Sequence, residues 1–172
     1  MTKRRILLIS LVGLLIFALL LGSKVVYQRK WIDVTILSQS QQISGVVSAK
    51  TVLNNGQNEM DVVTNHMANL RQASLALEKL AGELPIRYLD RNNDTLNALF
   101  EQMQFAFQEG IARGNFTEMA QNVRTQAEKA GVQLELEMDN DAIYVILNQG
   151  DAQLIEVIER HGQVKFLPSR KQ

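Results

Sequence analysis

Four side chains with oxygen atoms are spaced like the first, third, fifth and twelfth positions of an EF-hand calcium loop. These are Asp90, Asn92, Asp94 and Glu101. Carboxylate and amide oxygens at this spacing can surround a hard cation. However, Thr95 occupies the sixth position, where the sharp turn of such a loop requires glycine. The segment is better explained as a polar turn with a helix N-cap, and we predict no metal and no cofactor.

General acid–base chemistry has two sets of candidate residues. The chain contains two histidines, His66 and His161, and His161 directly precedes Gly162 at the end of a predicted helix, where a cation complements the helix dipole. The second set consists of four acidic residues: Glu135, Glu137, Asp139 and Asp141. The two glutamates alternate with apolar residues, which predicts that they lie on the solvent face of a strand. Because no nucleophile, phosphate-binding or zinc-protease motif accompanies either set, we predict that the protein is not an enzyme.

The overall composition limits the classes of partner. Eighteen Lys and Arg residues balance eighteen Asp and Glu residues, so no excess of positive charge indicates binding to nucleic acid. The chain has no cysteine, which excludes disulfides, thiolate chemistry and cysteine-bound zinc. We therefore predict no nucleic-acid partner.

A membrane anchor is the strongest signal in the chain. Residues 6–22 carry no charge and are mostly apolar, and they follow a basic segment at residues 3–5. A helix of this length spans about 26 Å, close to the hydrocarbon thickness of about 30 Å. Basic and aromatic residues beyond this run extend the predicted span to residues 6–26. The anchor residues, with their interfacial aromatic residues, are Ile6, Leu14, Phe17, Leu21, Tyr27 and Trp31.

The orientation of the anchor follows from its two flanks. The alternative to an uncleaved anchor is a cleaved signal peptide, but leucine stands where a cleavage site needs a small residue. Basic residues are balanced on the two sides, so the free amino terminus and the long carboxy-terminal region decide the orientation. We predict a cytoplasmic tail at residues 1–5 and an extracytoplasmic region at residues 32–172. The expected location is the bacterial inner membrane, with the larger domain in the periplasm.

Residues 32–84 are predicted to form a helical stalk. Apolar residues recur every seven positions along its second half: Val63, Leu70, Leu77 and Leu84. Small and polar residues occupy the other seam position, so self-association through this seam gives a weak homodimeric coiled coil. Packing of the same helix against the protein's own domain is an equally open alternative. Gly82 and Pro85 end the predicted helix.

Residues 86–172 are predicted to form an α+β domain with a core unit at residues 116–168. Asp94 is a plausible helix N-cap, and the hydrophobic period changes from 3.6 to 2 after Gly131. The predicted elements are a helix from Asp94, a helix over 116–131, a hairpin over 132–148, a helix over 152–161 and a strand over 163–168.

The segment MAQNVRTQAEKAGVQLELEMDNDAIYVILNQGDAQLIEVIERHGQVKF, residues 119–166, resembles part of the bitopic assembly-platform proteins of type II secretion and type IV pili. The M component of type II secretion and the pilus assembly protein O are the members that it resembles in order of elements. The resemblance implies a ferredoxin-like α-β-β-α-β domain that dimerises and binds a sister platform protein, without catalytic residues. The chain departs from that family by ending after one strand and by inserting residues 86–115.

These observations together predict a structural or assembly subunit of a membrane complex. Its expected partners are the lipid bilayer, other proteins of that complex and, if the stalk seam self-associates, a second copy. Docking is expected on the exposed side of the predicted helix at 151–161, through Gln153, Glu156, Glu159 and Arg160. The alternative function is a membrane-anchored extracytoplasmic sensor or ligand-binding domain. Its pocket is expected between the hairpin and three phenylalanines: Phe100, Phe105 and Phe107.

Overall fold

The computed structural model describes residues 36–160, and they form an α+β domain with two three-stranded sheets. A short helical segment at residues 36–40 precedes the first strand. The strands are β1 (Val46–Asn54), β2 (Gln57–Thr64), β3 (Ile86–Leu89), β4 (Gln133–Met138), β5 (Ala142–Gln149) and β6 (Ala152–Glu159). The helices are α1 (Leu70–Ala81), α2 (Asp94–Arg113) and α3 (Phe116–Lys129). The predicted α+β class is confirmed.

The predicted anchor lies outside these residues. All of its named side chains precede residue 36, and the strand expected at 163–168 follows residue 160. Between residues 36 and 160, no helix combines the length and the apolar character needed to cross a membrane.

The first sheet replaces the predicted helical stalk with strands. β1 and β2 pair antiparallel, with Asn54 opposite Gln57. Asn55 and Gly56, which form the turn, have φ angles of 49° and 81°. Positive φ at both central residues is the requirement of a type I′ hairpin turn, and Asn-Gly meets it at low steric cost. The stalk prediction is therefore wrong for residues 46–64, because the Asn-Gly pair reverses the chain rather than interrupting a helix.

α1 connects β2 to β3, which pair in parallel. The predicted heptad seam is divided by this crossover: Val63 lies in β2 and Leu84 follows α1. Leu70 and Leu77 do lie on α1, but both are buried in the domain core. The structure thus favours the second alternative for this helix, namely packing against its own domain.

The second sheet is the antiparallel series β4-β5-β6. The β4–β5 hairpin confirms the prediction from the alternating sequence, and Asp139 Oδ1 accepts hydrogen bonds from the backbone N–H groups of Asp141 and Ala142 in its turn. The helices at 94–113 and 116–129 are also confirmed. The N-cap of α2 is Asn93 rather than Asp94, because the Asn93 side chain accepts a 2.8 Å hydrogen bond from Leu96 N.

The helix predicted at 151–161 is wrong, because residues 152–159 form β6. Gly150 has a φ angle of 59° and occupies the first central position of a two-residue turn between Gln149 and Ala152. This is the position that a type II′ hairpin turn reserves for glycine. β6 then has apolar residues on both faces, as expected for a strand between two layers. The described order after residue 116 is therefore α-β-β-β, not α-β-β-α-β.

The second sheet separates two hydrophobic cores. On one face, Ile143, Val145 and Leu147 pack with α2 and α3. On the other face, Tyr144, Ile146 and Ile155 share a core with α1 and the first sheet. The first sheet is consequently joined to the domain through a common core, and its strand β3 comes next to β6.

Candidate docking cleft

The two sheets meet where the end of β3 reaches the edge of β6. The backbone N–H of Gln153 donates a 3.1 Å hydrogen bond to the carbonyl oxygen of Arg91. Two residues further along β6, the backbone N–H of Ile155 donates a 2.7 Å hydrogen bond to Asp90 Oδ2. A side-chain carboxylate thus takes the place of a backbone acceptor at this junction.

The side chain of Gln153 strengthens the same junction from the other direction. Its Oε1 accepts a 2.8 Å hydrogen bond from Met67 N, and its Nε2 donates to Met67 O at 2.9 Å. The same Nε2 lies 2.9 Å from Asn148 Oδ1. Gln153 is only 4 % exposed, so these bonds satisfy polar groups that water cannot reach. We call this closed end, formed by Asp90, Arg91, Gln153 and Ile155, the β3–β6 junction.

Beyond the junction, β3 and β6 border a cleft of about 390 Å³. Its walls come from β3, the edge of β6, the end of α1 and the loop at residues 82–85. Apolar side chains of the first core form part of the lining: Leu84, Ile86, Tyr88, Ile155 and Val157. We call this open end the β3–β6 cleft.

Main-chain groups of both strands point toward the cleft. Gln153 and Ile155 direct their N–H groups away from β5, so the two-residue period of a strand directs those of Val157 and Glu159 the same way. On β3, Pro85 O accepts a hydrogen bond from Met60 N of β2. The neighbouring main-chain groups of Ile86 and Tyr88 therefore face away from β2 and toward β6. The cleft is bordered by two strand edges.

The lining of the cleft is rich in carboxylates: Glu78, Glu83, Glu156 and Glu159. Arg87 also lines it, but its Nη2 atom lies 2.6 Å from Asp61 Oδ1 and 2.7 Å from Glu59 Oε1. The positive charge of Arg87 is thus compensated by two carboxylates of β2. Glu78, Glu83 and Glu159 leave the cleft with an excess of negative charge even where Glu156 is protonated.

Burial changes the proton affinity of several groups at this site. Desolvation, with a smaller effect of the Asp90 charge, raises the pKa of Glu156 to about 8. Desolvation also raises the pKa of Asp90 to about 6, against the opposing effect of its hydrogen bond from Ile155 N. The pKa of Glu78 is raised by burial and then by the charges of Asp139, Asp141 and Glu159. A cation bound in the cleft would relieve this repulsion.

Tyr88 forms the inner wall of the cleft. Its hydroxyl lies 2.7 Å from Ser74 Oγ of α1. Burial raises the pKa of Tyr88 to about 12, while the Ser74 hydrogen bond acts in the opposite direction. This hydroxyl therefore remains protonated at neutral pH and positions α1 against β3.

The four predicted docking residues occupy different environments on β6 and after it. Glu156 and Glu159 line the cleft, whereas Gln153 belongs to the junction. Arg160 donates from its backbone N to Asp141 O at 2.8 Å, and its guanidinium carbon lies 4.4 Å from the centroid of the Phe116 ring. The helical pattern gave the wrong exposure for Gln153 because alternation along a strand, not a 3.6-residue period, decides which side is buried.

The residues considered for metal and acid–base chemistry are dispersed. Asp90 belongs to the junction, Asp94 is the first residue of α2, and Glu101 is exposed on that helix. Within residues 36–160, no group of three or more His, Asp or Glu side chains is placed to hold a metal ion. His66 is exposed in the segment before α1, and His161 lies outside the described residues. Glu135 and Glu137 are exposed on β4, as predicted.

The phenylalanines expected to line a ligand pocket do not lie at the cleft. Phe100 and Phe107 pack in the second core with ring centroids 6.0 Å apart. Phe105 is 80 % exposed on α2. The predicted phenylalanine pocket is therefore wrong, because helical spacing divides these rings between the core and solvent.

In comparisons with known proteins, no family model, no curated protein and no solved structure matches this chain.

Proposed function

We propose that this chain is a non-catalytic, single-pass membrane subunit that docks a partner of a membrane complex in the β3–β6 cleft. The observation that carries the proposal is that two strand edges direct main-chain groups into one cleft. An extended segment can add to such edges by main-chain hydrogen bonds, and neighbouring side-chain pockets then give specificity. The predicted anchor at residues 6–26 would keep this binding site near the membrane.

The lining of the cleft defines the chemistry of the partner. Apolar side chains from β3 and β6 favour an extended segment with apolar residues on one face. The excess of carboxylates favours a basic side chain on that segment, since opposite charges increase the association rate and the specificity of docking. We therefore expect a segment in which apolar and basic residues alternate.

The resemblance to secretion and pilus platform proteins supports an assembly role less directly. That resemblance implied a helix at the place where the structure has β6. The proposal consequently depends on the cleft and on the predicted anchor, and the ferredoxin-like arrangement is not part of it.

A charge reversal at the mouth of the cleft tests this function. Glu159 lines the cleft, whereas Glu135 is exposed on β4 at the opposite edge of the second sheet. The full chain would be purified from gently solubilised membranes as wild type, Glu159→Lys and Glu135→Lys, and the proteins that co-purify would be quantified by mass spectrometry. We expect a severalfold loss of one reproducible partner with Glu159→Lys only. Equal recovery with both variants would contradict docking in the cleft.

A sensor of small molecules is the second candidate function, because the cleft volume lies in the range of ligand pockets. The two functions differ in their need for main-chain pairing. Val157→Pro removes an N–H group that strand addition requires, but leaves most of the cleft volume in place. A small molecule that remains bound to this variant in native mass spectrometry would favour the sensor.

A further inference from the structure

The chain that leaves β6 starts at the mouth of the β3–β6 cleft. Glu159 is both the last residue of β6 and part of the cleft lining. The sequence that follows, HGQVKFLPSRKQ at residues 161–172, contains Lys165, Arg170 and Lys171 but no acidic residue. A basic segment is thus attached next to a cleft with an excess of carboxylates.

The length of this segment fits the open part of β6. The cleft is bordered by residues 155–159 of that strand, a length of about 13 Å at 3.3 Å per residue. A two-residue reversal at residues 161–162, which include Gly162, would bring residues 164–168 alongside these five, with Val164 opposite Glu159 and Phe166 opposite Val157. The segment can therefore reach the cleft without any change in the described domain.

The residue pattern of the segment also fits the lining. Val164 and Phe166 alternate with Lys165, so a strand places the two apolar side chains on one face and the lysine on the other. β6 has the same alternation at the cleft, where Ile155 and Val157 belong to the first core and Glu156 lies between them. An added strand can thus bury Val164 and Phe166 while Lys165 lies on the face of Glu156.

We propose that residues 163–168 of this chain bind in the β3–β6 cleft as a strand that is antiparallel to β6 and lies between β6 and β3. The main-chain groups of Val157, Glu159, Ile86 and Tyr88 would then be paired, and the two sheets would become continuous. If the cleft is also the docking site proposed above, a partner segment must displace residues 163–168. The chain's own segment would then inhibit partner binding by competition. Only this regulatory consequence rests on the proposed function.

Disulfide scanning tests the placement without reference to any partner. Because the chain has no cysteine, pairs can be introduced into the full-length protein in detergent without removing native thiols. One cysteine is fixed on β3 by Ile86→Cys, and the second is moved through residues 163–167 one position at a time. A disulfide needs Cβ atoms about 3.5–4.5 Å apart, so its yield reports close approach.

The expected disulfide yield alternates from one position to the next along residues 163–167. Val164→Cys and Phe166→Cys should form the intramolecular disulfide with Ile86→Cys at least fivefold faster than Gln163→Cys or Lys165→Cys. Phe105→Cys paired with Val164→Cys is the control, because Phe105 is exposed on α2, across the second sheet from α1 and the first sheet. Uniform yields at the level of this control would overturn the proposal. Disulfides between two molecules in place of the intramolecular product would also overturn it and would assign the cleft to a second copy.

A charge exchange provides a second arm in which the apolar contacts are retained. With the Ile86→Cys and Val164→Cys pair in place, Lys165→Glu should reduce the disulfide yield, and the further change Glu156→Lys should restore it. Reduction without restoration would contradict the placement of Lys165 beside Glu156. Partner recovery with Glu159→Lys is a separate readout, so the failure of this inference can be distinguished from the failure of the proposed function.

Discussion

The two ends of the β3–β6 contact differ in how they satisfy polar groups. At the junction, the N–H groups of Gln153 and Ile155 have acceptors, and the Gln153 side chain bonds to both backbone groups of Met67. At the cleft, the same two strands border a space of about 390 Å³ and direct their main-chain groups into it. One end therefore holds the two sheets together, and the other leaves two edges for a further strand. We expect substitutions at the junction to change stability and substitutions at the cleft to change binding.

The largest effect on stability is expected from Gln153→Ala. This variant leaves the N–H and C=O groups of Met67 buried without their partner, at a cost of about 3 kcal/mol in the free energy of unfolding. Gln133→Ala on β4 is the control, because Gln133 is exposed and should change stability by less than about 0.5 kcal/mol. Urea unfolding followed by circular dichroism measures both. Equal costs would show that the junction does not hold the sheets together.

A smaller loss is expected when the Asp90 carboxylate is removed. Asp90→Ala leaves the N–H group of Ile155 without its acceptor, which costs about 2 kcal/mol. Asp90→Asn keeps an oxygen that can accept the bond, so it should recover more than half of that loss. An Asp90→Asn variant as unstable as Asp90→Ala would mean that the hydrogen bond contributes little.

The stability of the domain is also expected to depend on pH through Asp90 and Glu156. The pKa values of these two carboxyls are raised to about 6 and about 8 in the folded protein. The folded state therefore retains protons that the unfolded state releases above about pH 4, and this stabilisation is lost as the pH rises through the two raised values. Thermal unfolding between about pH 5 and about pH 8.5 should show this decrease.

Glu156→Gln should flatten the upper part of this decrease, because the amide does not titrate. Glu135→Gln, at an exposed position of β4, should leave the slope unchanged. An identical slope in wild type and Glu156→Gln would mean that Glu156 does not retain a proton in the folded domain.

The sequence predicted the parts of the fold whose signals are local. Alternation over residues 132–138 predicted β4, and Gly131 marked the end of α3. Two hairpin turns were missed. Asn55-Gly56 was interpreted as a break in the helical stalk, and Gly150-Asp151 as the end of a strand followed by the N-cap of a helix. Both pairs contain a glycine with positive φ, but so do the helix ends at Gly82 and Gly114. The strand-forming residues on both sides of the turn are the signal that distinguishes a hairpin from a helix end.

The cleft could not be predicted because its residues are distant in the sequence. Glu156 and Glu159 were selected as docking residues because they lie on the exposed side of the predicted helix, but their neighbours Ile86 and Tyr88 come from a strand about 70 positions earlier. Two wrong predictions of secondary structure concealed that proximity. Placing residues 32–84 in a stalk removed the first sheet, and placing residues 152–161 in a helix removed the edge of β6.

Partner recovery by the Val157→Pro variant tests the central claim, docking on the strand edges of the cleft, most directly. Proline at this position removes the N–H group that points into the cleft but none that points to β5, so the loss of stability should be about 1 kcal/mol or less. Val157→Thr keeps that N–H group and the branched shape, and serves as the matched control. Full-length proteins would be purified from membranes, and each co-purifying partner quantified. We predict at least tenfold less partner with Val157→Pro and near wild-type recovery with Val157→Thr, whereas equal recovery with the two folded variants would contradict docking by strand addition.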